Sequence, residues 1–109
     1  MPTAYKVLGQ LKPTAATNTN LYTVPASTST VISSLVISNL TNDYSLIRIA
    51  VRPAGAAVED KHYIAYDNNI GGYSTRVYTM GMTLATTDIV TVHDSTGKCS
   101  FNLFGSEIS

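Results

Sequence analysis

The chain has no tryptophan, a single cysteine and few charges, with seven basic and seven acidic side chains making 13 % of 109 residues. Each scarcity excludes something. Cys99 alone cannot close an intramolecular disulfide, so no covalent staple holds a small secreted fold together. A formal net charge of zero removes the electrostatic footprint of a nucleic-acid binder or a membrane-surface protein, so neither nucleic acid nor membrane is expected as a partner. No apolar run reaches the length of a membrane span, and the opening MPTAYKVLGQ lacks the apolar core of a signal peptide. Two glutamates and one glutamine leave little from which to build helices. No window holds a sustained i, i+3, i+4, i+7 apolar stripe.

What is there is hydroxyl and β-branch. Fifteen threonines, eleven serines, nine valines and eight isoleucines dominate the composition, and seven of the nine aromatics are tyrosine. The stiff χ1 of Thr, Val and Ile suits a pleated, half-buried surface. With 44 % hydrophobic residues in a length that suits one domain, residues 1–109 are expected to form a single all-β unit, ordered at both ends.

Turn signals divide the chain into about eight strands: 5–10, 20–24, 30–40, 45–52, 61–68, 73–84, 89–93 and 99–104. Pro25 and Pro53 end two of them, because proline lacks the N–H that a ladder needs. Thr41-Asn42-Asp43, Gly71-Gly72 and Asp94-Ser95-Thr96-Gly97 mark tight turns, and Gly81 marks a bulge or a close backbone approach. Short strands at this spacing predict a small antiparallel β-sandwich, either a jelly roll or another Greek key. In 30–40 large apolar residues fall on both phases, with Val31, Leu35 and Ile37 on one and Ile32 and Val36 on the other. In 45–52, Ile47, Ile49 and Val51 oppose Leu46, Arg48, Ala50 and Arg52. Alternation sends the two phases to opposite faces, so the pattern predicts a second cover over the outer one. Another subunit would supply it, or one of the loops 11–20 and 53–60.

Catalytic patterns are weak. Asp60, His62, Asp67, His93 and Asp94 are the only sensible metal ligands, without the spacing of a shared site. Asp67-Asn68-Asn69 resembles the start of a calcium loop, but Tyr78 stands where the closing Glu belongs. There is no G-x-S-x-G elbow, and Cys99 has no neighbouring histidine in sequence. No catalytic, cofactor-binding or metal residue is assigned, and an enzyme is not expected. Asn39-Leu40-Thr41 matches a glycosylation sequon and reads as a turn. Arg48 and Arg52 share a face with Leu46 and Ala50, a mixed surface suited to an interface rim, and tyrosine rings suit such rims too. The candidate contact set is Leu46, Arg48, Arg52, Tyr63 and Tyr78, with Tyr5, Phe104 and Glu107 from the two ends, where 1–5 and 105–109 would act as clips.

Read in order, KVLGQ (6–10), LYTVPAST (21–28), TVISSLVISN (30–39), RIAVRPAGA (48–56), KHYIAYD (61–67) and FNLFGSEI (101–108) resemble a group of small virion structural proteins of tailed bacteriophages, including phages of cyanobacteria. The resemblance runs nearly end to end and carries no catalytic signature. It implies a place in the virion, after synthesis in the host cytoplasm. The expected role is a capsid decoration or cement protein bound to the major capsid protein as a homo-oligomer, a homotrimer near local three-fold positions. The alternative is a tail, neck or fibre component that contributes to host attachment, with glycan binding as one route.

Overall fold

The computed structural model describes residues 2–79 and 81–109. Among them nine strands follow one another: β1 (Thr3–Leu11), β2 (Thr19–Thr23), β3 (Ser29–Asn39), β4 (Ser45–Arg52), β5 (Tyr63–Ile70), β6 (Thr75–Tyr78), β7 (Met82–Leu84), β8 (Ile89–Asp94) and β9 (Cys99–Ile108). Short 3-10 turns at Pro53–Gly55 and Asp60–His62 lie between β4 and β5. No helix among the described residues is long and apolar enough to cross a membrane.

Two antiparallel sheets pack face to face. Sheet A has the order β1-β9-β3-β6, with β7 also on β3, and sheet B the order β2-β8-β4-β5. β6 and β7 are two pieces of one interrupted strand, which makes eight strands in effect. The first then pairs with the last, the second with the seventh, the third with the sixth and the fourth with the fifth. That nesting is the jelly roll, so the strand order decides between the two topologies that composition leaves open. The interruption falls beside Gly81, where an added Cβ would meet open space. The expected close approach at this glycine is therefore absent, and Gly81 itself lies outside both pieces.

The core fills the gap between the sheets. Phe101, Leu103, Leu35, Ile37 and Ile32 from sheet A meet Ile47, Ile49, Val90, Val92 and Ile70 from sheet B, all at 2 % exposure or less. Tyr78 packs against the edge of this cluster, and its hydroxyl accepts a hydrogen bond from Asn68 Nδ2 at 2.7 Å, linking β6 to β5 across the open side of the sandwich.

Part of the doubly apolar pattern of 30–40 has a local cause. The register of β3 on β9 slips between Ile32 and Ser34, and that of β1 on β9 between Val7 and Gly9. An extra residue in a strand changes which phase faces inward. Before the slip Thr30 and Ile32 are buried; after it Leu35, Ile37 and Asn39 are. The bulge thus internalises Ile32 from one phase and Leu35 and Ile37 from the other, and leaves Val31 and Val36 on the outer face. The β3 slip sits between Gly105 and Phe104 of the unbroken central strand and the β1 slip one step on, between Phe104 and Leu103, so both flank Gly105 closely. There the Cβ of any residue but glycine would stand 2.2 Å from the Val31 carbonyl oxygen.

Chain ends belong to the sheet. Thr3–Val7 pairs with Phe104–Ile108, and Ser109 N–H donates to the Pro2 carbonyl at 3.1 Å. Residues 2–5 and 105–109, expected as clips, lie mainly in these paired strands; Met1 lies outside the described residues.

Candidate functional site

The predicted contact residues divide between opposite sides of the sandwich. Leu46, Arg48, Arg52 and Tyr63 share the outer face of sheet B, since alternation along β4 sends these positions away from Ile47 and Ile49 and Tyr63 pairs with Ala50. Tyr5 and Phe104 stand on the outer face of sheet A. Tyr78 lies at the rim. Glu107 turns to the core side of β9, where Tyr22 O–H donates to it at 2.5 Å and Lys6 Nζ lies 2.6 Å away. Burial and the Glu107 carboxylate push the Tyr22 hydroxyl up to about 12, so it remains a proton donor.

On sheet B the centre of the face is Arg48. Its Nε donates to Asp67 Oδ1 at 2.7 Å, and its guanidinium carbon lies 4.2 Å above the Tyr66 ring. The Tyr66 ring meets Tyr63 edge-on, with centroids 4.9 Å apart. A register slip in β5 between its pairings with Ile47 and Ile49, with Asp67 at φ 50°, sets Tyr66 and Asp67 together beside Arg48. The Arg48 hydrogen bond holds the Asp67 carboxyl below the usual carboxylate range. Beside Tyr63 and Tyr66 a cleft of about 420 Å³ opens, with Asp60 as its carboxylate. His93 pairs with Arg48 across the strands, and its Nδ1 is buried without a partner. Burial, and then the Arg48 charge, keep its pKa below the ordinary histidine value.

Arg52 serves the fold. Its guanidinium donates to the Ala56 carbonyl at 2.7 Å, Asn20 Oδ1 at 2.9 Å, Thr91 Oγ1 at 3.2 Å and the Gly55 carbonyl at 3.3 Å. These bonds tie β2, β8 and the segment after Pro53 to the end of β4. Arg52→Ala should cost about 1–3 kcal/mol, because several acceptors lose a charged donor together. Arg52→Lys should recover less than half of that, since an ammonium cannot reproduce the planar fork. Urea denaturation of the three proteins checks both values, and an unchanged midpoint in the alanine variant would show that water replaces the fork.

Three of the five metal candidates and the one cysteine are engaged in the fold, while Asp60 faces the cleft and His93 Nδ1 has no partner. His62 Nδ1 accepts the Glu59 N–H at 3.0 Å, Asp67 holds Arg48, and Asp94 is buried under Ser45, Thr96 and Cys99. Among the described residues no group of three or more His, Cys, Asp or Glu side chains is placed to hold a metal. Burial, with Asp94 beside it, pushes the Cys99 thiol up to about 12, which opposes the thiolate a nucleophile needs. Asn39, the sequon residue, is 3 % exposed and its amide bonds to Asp43, Ile70 and Thr41.

The outer face of sheet A escapes a reading by segments, because it assembles from five strands. It presents Thr3, Tyr5, Val7 and Gln10 from β1; Ser100, Asn102, Phe104, Ser106 and Ile108 from β9; Ser29, Val31, Ser33, Ser34, Val36 and Ser38 from β3; and Thr75, Val77 and Thr83 from β6 and β7. None of these eighteen residues is charged. At the chain's own charged fraction of 13 %, about two of the eighteen would be expected to carry a charge. Tyr5 is 85 % exposed and Val77 55 %, and a groove of about 500 Å³ runs past Tyr5, Val7, Val31 and Phe104. Comparison with protein-family models and with curated proteins gives no match for the chain.

Proposed function

We propose that this protein is a non-catalytic structural component of a tailed-phage virion that binds the assembled major capsid shell as an oligomer. The observation that carries the reading is the uncharged outer face of sheet A, whose Tyr, Phe, Val and hydroxyl side chains have the composition of an interface core. The jelly roll agrees with it, since viral capsid domains use that fold, although the fold alone assigns no function. The resemblance of the six segments supplies the particle. On the opposite side, Leu46, Arg48, Tyr63 and Tyr66 form a mixed surface suited to the shell. The mechanism is linkage: a ligand of the closed lattice that does not bind separated subunits shifts the equilibrium toward the closed shell.

Copy number per particle tests the proposal, measured by quantitative mass spectrometry against the major capsid protein. A ratio of one copy per shell subunit, or one oligomer per local symmetry position, is expected. A ratio of a few per cent overturns it. Where the protein is abundant, Arg48→Glu should weaken re-binding to stripped shells at least about tenfold, the loss expected for a charged interface contact.

One observation favours a second reading, attachment to a host glycan from the tail, neck or fibres. The cleft at Asp60, Tyr63 and Tyr66 joins aromatic rings, on which a sugar ring stacks, to a carboxylate that accepts from its hydroxyls. Low copy number together with saturable glycan binding lost in Tyr66→Ala would establish this reading over the first.

A further inference from the structure

We infer that two copies of this chain pair through the outer faces of their A sheets, each Tyr5 seated in the groove of the other. The face cannot choose a partner by charge, since none of its eighteen residues carries one. Lys6, which also lines the groove and is half-exposed, turns its ammonium to Glu107 at 2.6 Å, so the charge beside the groove is paired within the chain. A highly basic or acidic partner would therefore find no counter-charge here. A second copy needs none. In a two-fold pairing each residue meets the same set it belongs to, so a Lys or Glu face would repel itself. Ser, Thr, Asn and Gln both donate and accept hydrogen bonds, and so match their own copies.

Shape agrees with this. Tyr5, at 85 % exposure, projects beside a groove of about 500 Å³ whose lining includes Phe104, Val31, Ser106 and side-chain-free Gly105. Projection and recess lie on one face, as an isologous contact requires. Four strands about 4.8 Å apart and some nine residues long give a flat footprint of roughly 500 Å². Side-chain relief raises the accessible area toward the ~800 Å² per partner of a stable complex. The face also needs a cover for its own sake, since exposed Tyr5, Val7 and Val31 meet at the groove in an apolar patch of a kind that marks association sites.

Sedimentation of the purified full chain tests the pairing. At about 100 μM the protein should run at twice 11.6 kDa, as affinities in the micromolar range or tighter require. Val31→Lys and Val31→Glu, at an outward and partly exposed position in the groove, should each weaken pairing at least about tenfold by burying an unpaired charge in the contact. Mixing the two variants should restore a dimer. Tyr5→Lys provides a second disruption at a site too exposed to affect folding, and unchanged thermal melting at monomeric dilution checks that all variants fold. A wild-type monomer, a trimer, or a dimer indifferent to both Val31 and Tyr5 changes would overturn the inference. It rests on the face and not on the particle. A dimer that ignores shells ends the capsid proposal alone, and a monomer that binds shells ends this inference while leaving shell binding itself in place.

Discussion

Phe101→Ala should remove about 3–5 kcal/mol of folding stability, the range for emptying a fully buried phenylalanine site. Phe101 is completely buried on β9, the strand that pairs with both β1 and β3 in sheet A. Its Cα partners Leu11 and Ile37 flank it within the sheet, and the core side of sheet B faces it. Those strands are held by their ladders, so the walls cannot collapse into the space. A domain of this size has only about 5–15 kcal/mol in total, so the variant should be marginally folded, with its melting temperature lowered by some 12 °C or more. Phe104→Ala is the control. Only three residues away, Phe104 stands on the other phase of the strand, in the groove of the outer face. Its truncation should cost the isolated monomer under about 1 kcal/mol. Denaturant midpoints at monomeric dilution compare the two. Equal losses would mean that the outer face is packed in the free chain, against the arrangement described.

Much of this architecture was legible because turns have local chemistry. Pro25, Pro53, Thr41-Asn42-Asp43 and Gly71-Gly72 fall at or beside the observed strand ends, and 45–52 is β4 without adjustment. The bulges were not legible. An inserted residue leaves no mark but a change of phase, and in 30–40 that change brings Ile32 inward together with Leu35 and Ile37 of the opposite phase. Long-range pairing also extends strands past the point where propensity stops. β9 continues through Gly105, Ser106 and Glu107 because β1 and β3 hydrogen-bond it on both sides.

The surfaces were legible in halves. Alternation along 45–52 groups Leu46, Arg48 and Arg52, and the structure keeps them together on sheet B. It does not reveal that Arg52 is consumed by four internal acceptors, which come from β2, β8 and the following loop. Tyr66 and Asp67 reach Arg48 through a slip in β5, for which Asp67-Asn68-Asn69 inside a strand was the available signal: three residues that regular strands disfavour. The uncharged face of sheet A is a negative pattern. Its absence of charge means something only once strands from both ends of the chain are known to be neighbours.

The same division between local and distant causes fixes the second large effect, at Asp94. The turn Asp94–Gly97 is local: Asp94 Oδ1 accepts the Thr96 N–H at 3.1 Å, and Oδ2 the Cys99 N–H at 2.7 Å. The distant partner is Ser45, 49 residues away, whose hydroxyl also donates to Oδ1. Burial by itself pushes the fully buried carboxyl up, but the donors from Ser45, Cys99 and Thr96 outweigh it and hold its pKa below the ordinary 3.8. Asp94→Asn keeps the shape and breaks the arrangement. Whichever way the amide lies, its NH₂ meets a donor, Cys99 N–H on one side or Ser45 and Thr96 on the other. The expected loss is about 2–4 kcal/mol at neutral pH, from buried donors left without acceptors. A depressed folded pKa contributes stability that is complete above the unfolded pKa and disappears as pH falls through the folded one. The difference between wild type and Asp94→Asn should therefore be constant from neutral pH to about pH 5 and shrink steadily below about pH 4. Other carboxylates held low, Asp43, Asp67 and Glu107, give both proteins an acid limb of their own, so the difference and not the midpoint is the quantity to follow. Denaturant titrations of both proteins across that range measure it. A difference that stays constant down to about pH 2.5 would mean that the ionised carboxylate does not hold this end of the sandwich together, and that shape alone does.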